Sequence, residues 1–160
     1  PWRSSHPVYM EQVERLHRVV RRTRGVAHVL THGVPPSAFD SAGQIPQELW
    51  NLLGEPGVFL EVLFPILYGS SWDYPYAKAR PILRQLHERL GAGKLIWGSD
   101  MPNVERNCTY AQSLNYLRHY CPFIPASDMD RILGGNASAL YFERQPSFGP
   151  ATAPSAAQEV

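Results

Sequence analysis

The sequence is poor in cysteine, in net charge and in long apolar runs, and each shortage excludes something. Only Cys108 and Cys121 are present, 13 residues apart and without a CxxC spacing. They give neither a disulfide framework nor a zinc site, and they suit a reducing cytoplasm. The net charge is +1, which argues against nucleic acid or an anionic membrane as the main partner and leaves a small-molecule substrate as the expected one. No apolar run approaches the roughly 20 residues of a membrane-spanning helix. The first residues, Pro1-Trp2-Arg3-Ser4-Ser5-His6-Pro7, have no apolar segment and no initiator Met. They are no signal peptide, and they suggest part of something longer. No internal repeat is visible.

What remains is a globular composition, 44% apolar and 18% charged over 160 residues, enough for one domain with a real core. Helical spacing is expected over Val8–Thr23, with Met10, Val13, Leu16 and Val20 on one face. Arg15, Arg18, Arg21 and Arg22 lie on the other, read as a solvated face with cations near the helix end. Strands are expected over Val26–Thr31, Val58–Phe64 and Lys94–Trp97, and helices over Pro46–Leu53 and Pro81–Leu90. A further helix capped by Asn107 buries Tyr110, Leu114, Leu117 and Cys121. Ser127 and Asp130 resemble a capping box. Gly134-Gly135 should break that helix, and Asn136 should cap a last turn. Residues 1–144 form the expected domain, and Pro, Ser, Ala and Gly make 145–160 an expected disordered tail.

Alternating strands and helices give an α/β fold with a parallel sheet. In such a sheet every strand ends on the same rim, where α/β proteins keep their chemistry. His32 ends the first expected strand before Gly33, and Asp100 follows the third before Pro102. The topology brings them together across 68 residues. A histidine facing a carboxylate can hold a divalent metal or serve as base and acid on a carbonyl.

Three ordered motifs sharpen this. Lys94-Leu95-Ile96-Trp97-Gly98-Ser99-Asp100-Met101-Pro102 resembles the "GSD-x-P" signature on the last barrel strand of the amidohydrolase-related family of metal-dependent hydrolases. Val29-Leu30-Thr31-His32-Gly33 with Pro35 or Pro36 resembles that family's sixth-strand "H-x-G-x-P" region. Ile132 to Tyr141 resembles its closing "I-x-x-x-N-A-x-x-L-Y" helix. The match covers roughly residues 8–142. The resemblance implies a (β/α)8 barrel with a metal-assisted site on its C-terminal rim. It implies Asp100 as metal ligand and general base, and His32 as the group that polarises substrate or moves a proton. The implied reaction is water attack on an ester, lactone or amide carbonyl, assisted by Zn²⁺ or alternatively Mn²⁺. Decarboxylation of an unsaturated or aromatic acid in the same site is the alternative. A non-catalytic barrel remnant that covers its open edge with a partner is another.

The departures are equally informative. The family's paired H-x-H is absent. His28 and His32 would stand about 13 Å apart along a strand, too far to share one metal. The three expected strands map onto the sixth to eighth of a barrel that needs about 250 residues. The chain is therefore expected to be the C-terminal portion of such a barrel, inactive alone and a homo-oligomer in its longer form. His6 is a candidate ligand if Trp2–Ser5 is the frayed end of the fifth strand. Arg106 is a candidate clamp for a substrate carboxylate, and Trp72, beside Asp73, Tyr74 and Tyr76, is a candidate substrate wall. Glu61 lies inside a strand, where a bare charge is costly; it either faces the barrel mouth or pairs with a cation outside this sequence, and the pairing is its expected relief.

Overall fold

The computed structural model describes residues 3–7, 10–35, 38–39, 44–62 and 73–143, with residues 3–7 described by backbone alone. Four parallel strands form one sheet in sequential order: β1 (Arg3–Pro7), β2 (Ala27–Thr31), β3 (Val58–Glu61) and β4 (Leu95–Ile96). Three strands were expected, and the addition is β1, which carries His6 opposite Leu30. The extended reading of residues 2–5 is thus realised from Arg3 onward. Its polar Arg-Ser-Ser-His sequence gives no apolar signal, so only pairing with β2 makes it a strand. β4 is shorter than Lys94–Trp97 because Ala92–Lys94 forms a 3₁₀ turn. The end of the second expected strand, 63–64, lies outside the described residues, as do Trp72 and the tail 145–160.

Between the strands run α1 (Val13–Arg22), α2 (Gln47–Gly54) and α3 (Arg80–Leu90), and α4 (Tyr110–Tyr120) follows β4. After β4 and α4 come α5 (Ala126–Asp130), a wide π-type turn over Arg131–Gly135, and α6 (Asn136–Tyr141). Register divides the sheet into two faces. Leu30, Leu60 and Leu95 stand at one level. They belong to the main core with Val13 and Val20 of α1, Leu49 and Leu52 of α2, and Leu83 and Leu86 of α3. Ala27, Val29 and Ile96 face the other way and pack with Leu140 of α6. A parallel strand covered on both faces must be apolar throughout, which accounts for β2. His28 is its exception: it is 2% exposed and shares a 2.9 Å hydrogen bond with the Thr23 hydroxyl.

Several polar contacts lock helices to the sheet. Lys94 Nζ donates to Leu53 O and Glu55 O, each at 2.7 Å, placing a cation on the open carbonyls that end α2. His17 binds Glu55 and His87 binds Asp128, each at 2.7 Å, so both histidines tie helices together as exterior residues. Tyr74 and Tyr76 meet Tyr120 and Tyr116 edge to face at 5.6 and 5.9 Å. These contacts turn α4 so that Tyr116 is buried while Tyr110 is 45% exposed, against the expected face.

The caps differ from expectation too. Thr109, not Asn107, caps α4: its hydroxyl accepts from Gln112 N, and Gln112 reaches back to Thr109 N. Ser127 and Asp130 form no box, because Pro125 stands at the cap and Ser127 lies within α5. Gly134-Gly135 does not break the helix; the backbone widens through it and continues. Asn136 is itself helical, with φ −66 and ψ −39. Its amide leaves the helix and donates to Ala92 O at 2.6 Å and Leu95 O at 2.8 Å. Ile132 O accepts from Trp97 N at 2.8 Å. Because Val62 N, just past β3, takes the Ile96 carbonyl at 2.7 Å, Leu95 and Trp97 present their backbone to the opposite edge. One side chain and one carbonyl therefore take up Leu95 O and Trp97 N on that edge of β4.

Two outcomes test this packing. Asn136→Ala should lower the unfolding free energy by about 2 kcal/mol in urea titrations, since it removes the amide that donates to Leu95 O and leaves Ala92 O with the Leu95 N–H alone. Burial raises both thiols, Cys121 up to about 11. At pH 8 Cys121 should resist a disulfide-exchange reagent in the folded chain and react once guanidinium unfolds it.

Candidate active site

The three rim positions are built by strand ends. β2 ends at Thr31, and His32 follows with φ 66; β4 runs into Trp97-Gly98-Ser99, and Asp100 has φ 50. A left-handed backbone on a residue with a side chain costs about 1–3 kcal/mol and persists only where its surroundings fix it. Together with Tyr76, these two are the non-glycine residues with positive φ among those described. Two residues of unrelated motifs thus leave the sheet through the same unusual turn.

β3 lies between them and ends at Glu61, which aligns with Ile96. The Glu61 carboxylate accepts from His32 N at 3.1 Å. The Glu61 carbonyl lies 3.3 Å from where a Cβ on Gly33 would stand, and Gly33 has φ +71. Glycine is required there by conformation and by this close approach. Glu61 is half-buried, and loss of solvent raises its carboxyl above the ordinary range. The His32 N–H and charge oppose that rise, and the Asp100 charge adds to it. Glu61 therefore senses both predicted rim residues.

Asp100 is partly buried; its Oδ1 accepts from Asn103 Nδ2 at 3.4 Å, and its carbonyl accepts from Val104 N at 3.1 Å. The second bond starts the 3₁₀ turn Asn103–Arg106. His32 is exposed toward solvent. Arg106 is exposed at the end of its turn, and no ion pair joins it to Asp100. Trp72 lies outside the described residues, and Tyr74 and Tyr76 are committed to packing on α4. His6 is placed on β1, one level short of the Pro7–Thr31 pair.

The sheet thus brings His32 and Asp100 to one rim and inserts Glu61, which sequence reasoning had given a partner elsewhere. The signal was there: a carboxylate in an apolar strand. What the sequence could not supply was the register that puts it beside the His32 amide. Among the described residues no group of three or more His, Cys, Asp or Glu side chains could hold a metal ion. A catalytic zinc takes three protein ligands, so the described residues do not make a metal centre by themselves.

A parallel α/β sheet with its polar residues at the strand ends is the architecture of barrel and open-sheet enzymes. The family model described as Amidohydrolase matches residues 4–142, and the chain belongs to that family. None of the curated proteins matches. Solved structures do. An amidohydrolase from Burkholderia multivorans with bound zinc has TM-score 0.71 and 16% identity, over 86% of this chain and 52% of its own. A protein assigned as a 2-pyrone-4,6-dicarboxylic acid hydrolase, from Acinetobacter baumannii with citric acid bound, has TM-score 0.67 and 19% identity, over 87% and 52%. One assigned likewise from Pseudomonas putida has TM-score 0.63 and 24% identity, over 90% and 52%. The fold is shared, and the chain spans about half the length of these structures. Among the described residues no helix is long and apolar enough to cross a membrane.

The raised Glu61 carboxyl has a pH consequence. A group whose pKa rises on folding favours the folded state below its unfolded value, here 4.5. That contribution is lost as pH rises through the folded value. Glu61→Gln is permanently neutral and should gain stability relative to the parent between pH 4 and pH 7, read as a widening gap in urea midpoints.

Proposed function

We propose that this chain supplies the C-terminal half of an amidohydrolase barrel, with β1 to β4 as its fifth to eighth strands. In this reading the rim formed here hydrolyses an ester, lactone or amide. The observation that carries it is the convergence of His32 and Asp100, each on a left-handed turn at a strand end, with Glu61 between them. Family membership and the hydrolases among the similar structures support the reaction class.

The chemistry is assigned to the chain's own groups. Asp100 accepts a proton from the attacking water as its oxygen bonds to the carbonyl carbon. The tetrahedral intermediate then collapses, and the leaving oxygen or nitrogen takes that proton back. His32 stabilises the developing charge on the carbonyl oxygen or carries the proton between positions. Arg106 and Trp72 are proposed to bind the substrate, Arg106 through a carboxylate. A divalent ion, Zn²⁺ or Mn²⁺, belongs to the proposal with Asp100 and His6 as ligands. The rest of its shell has to come from outside the described residues, and no step is assigned to it. A homo-oligomer in the cytoplasm, acting on a small molecule without nucleic acid or membrane, completes the reading.

The test uses the full polypeptide that carries this chain, a panel of lactones, esters and amides, and unsaturated carboxylic acids monitored for CO₂. Hydrolysis of the first group is expected, and Asp100→Asn should lower kcat by about 10²-fold or more. CO₂ release without hydrolysis would replace the reading with the decarboxylase. Full turnover in Asp100→Asn would remove Asp100 from the mechanism.

A further inference from the structure

We propose that Glu61 is a positioning residue for the rim histidine, acting through the His32 backbone rather than on substrate. The inference rests on the hydrolase reading for its kinetic consequence, but its structural content is independent of it.

Three observations converge. His32 sits in a left-handed conformation, uncommon for any residue that carries a side chain. The Glu61 carboxylate, from the next strand, accepts the His32 N–H at 3.1 Å. The Glu61 carbonyl packs where a side chain on Gly33 would have to go, so the residue after His32 is held against the same strand end. A turn held from both its amide and its following glycine has little freedom to relax. β3 also stands between β2 and β4. Glu61 therefore fixes His32 to the one strand that neighbours the strand leading to Asp100. A strand-end charge that loses solvent needs such a use to be retained, and its role requires an acceptor oxygen, not a proton.

That distinction makes the proposal testable. Glu61→Gln keeps an oxygen able to accept from His32 N; Glu61→Met keeps similar bulk without one; Glu61→Ala removes both. Amide hydrogen exchange in the isotopically labelled chain reads His32 against Leu30, a buried ladder residue that reports global opening. With Met or Ala at position 61, His32 exchange should rise about tenfold relative to Leu30, and with Gln it should stay near the parent value. Where a lactone is turned over, Met and Ala should lower kcat by about tenfold or more with KM little changed, and Gln should restore it. Unchanged His32 exchange in Glu61→Met, or failure of Gln to restore it, overturns the proposal. A full polypeptide that hydrolyses none of the lactones, esters and amides but shows the exchange pattern refutes the hydrolase reading and leaves the positioning role intact. If Glu61→Ala does not fold, the Met and Gln pair decides.

Discussion

The register between β2, β3 and β4 is the constraint on which the rest depends. Leu30, Leu60 and Leu95 stand side by side. Once those three share a level, the residues after them have no freedom in height. Thr31 and His32, Glu61, and the loop to Asp100 emerge from the sheet together. A slip of one residue would exchange faces, sending the leucines into the opposite layer and the apolar Val29 and Ile96 toward the helices. The apolar layers therefore hold the polar residues in place from within the sheet.

Polar groups in that arrangement are few and specifically matched. Lys94 is half-buried, and desolvation lowers its pKa. Its ammonium nonetheless reaches the carbonyls of Leu53 and Glu55. His28 is enclosed but bonded to Thr23. Glu61 bears an electrostatic conflict: burial and Asp100 act against its charge, and the His32 amide acts for it. A carboxyl whose charge is opposed by burial and by Asp100, yet is held by a backbone amide, places an electrostatic compromise where chemistry is proposed.

Much of this was legible from sequence. Apolar runs bounded by glycine located β2, β3 and β4, and helical spacing on α1 found Val13 and Val20. His32 and Asp100 were found because strand ends in a parallel sheet share a rim whatever lies between them. Other features were written in partnerships rather than in local sequence. β1 is polar and becomes a strand only by pairing. Tyr116 is buried because Tyr76 arrives from a distant loop. Asn136 looked like a cap because asparagine usually is one, yet its donors serve another element. Glu61 was noticed as a cost, but its partner proved to be a backbone amide, which no inventory of side chains would have offered.

The Asn136 contact also makes the end of the chain a strut for the rim. Its amide grips the two carbonyls that frame the start of β4, and Ile132 holds Trp97 three residues before Asp100. The carboxylate therefore hangs from a bracket whose other arm is the closing helix. Its height above the sheet is set by residues more than thirty positions downstream, so the closing helix and the Asp100 loop behave as one mechanical part.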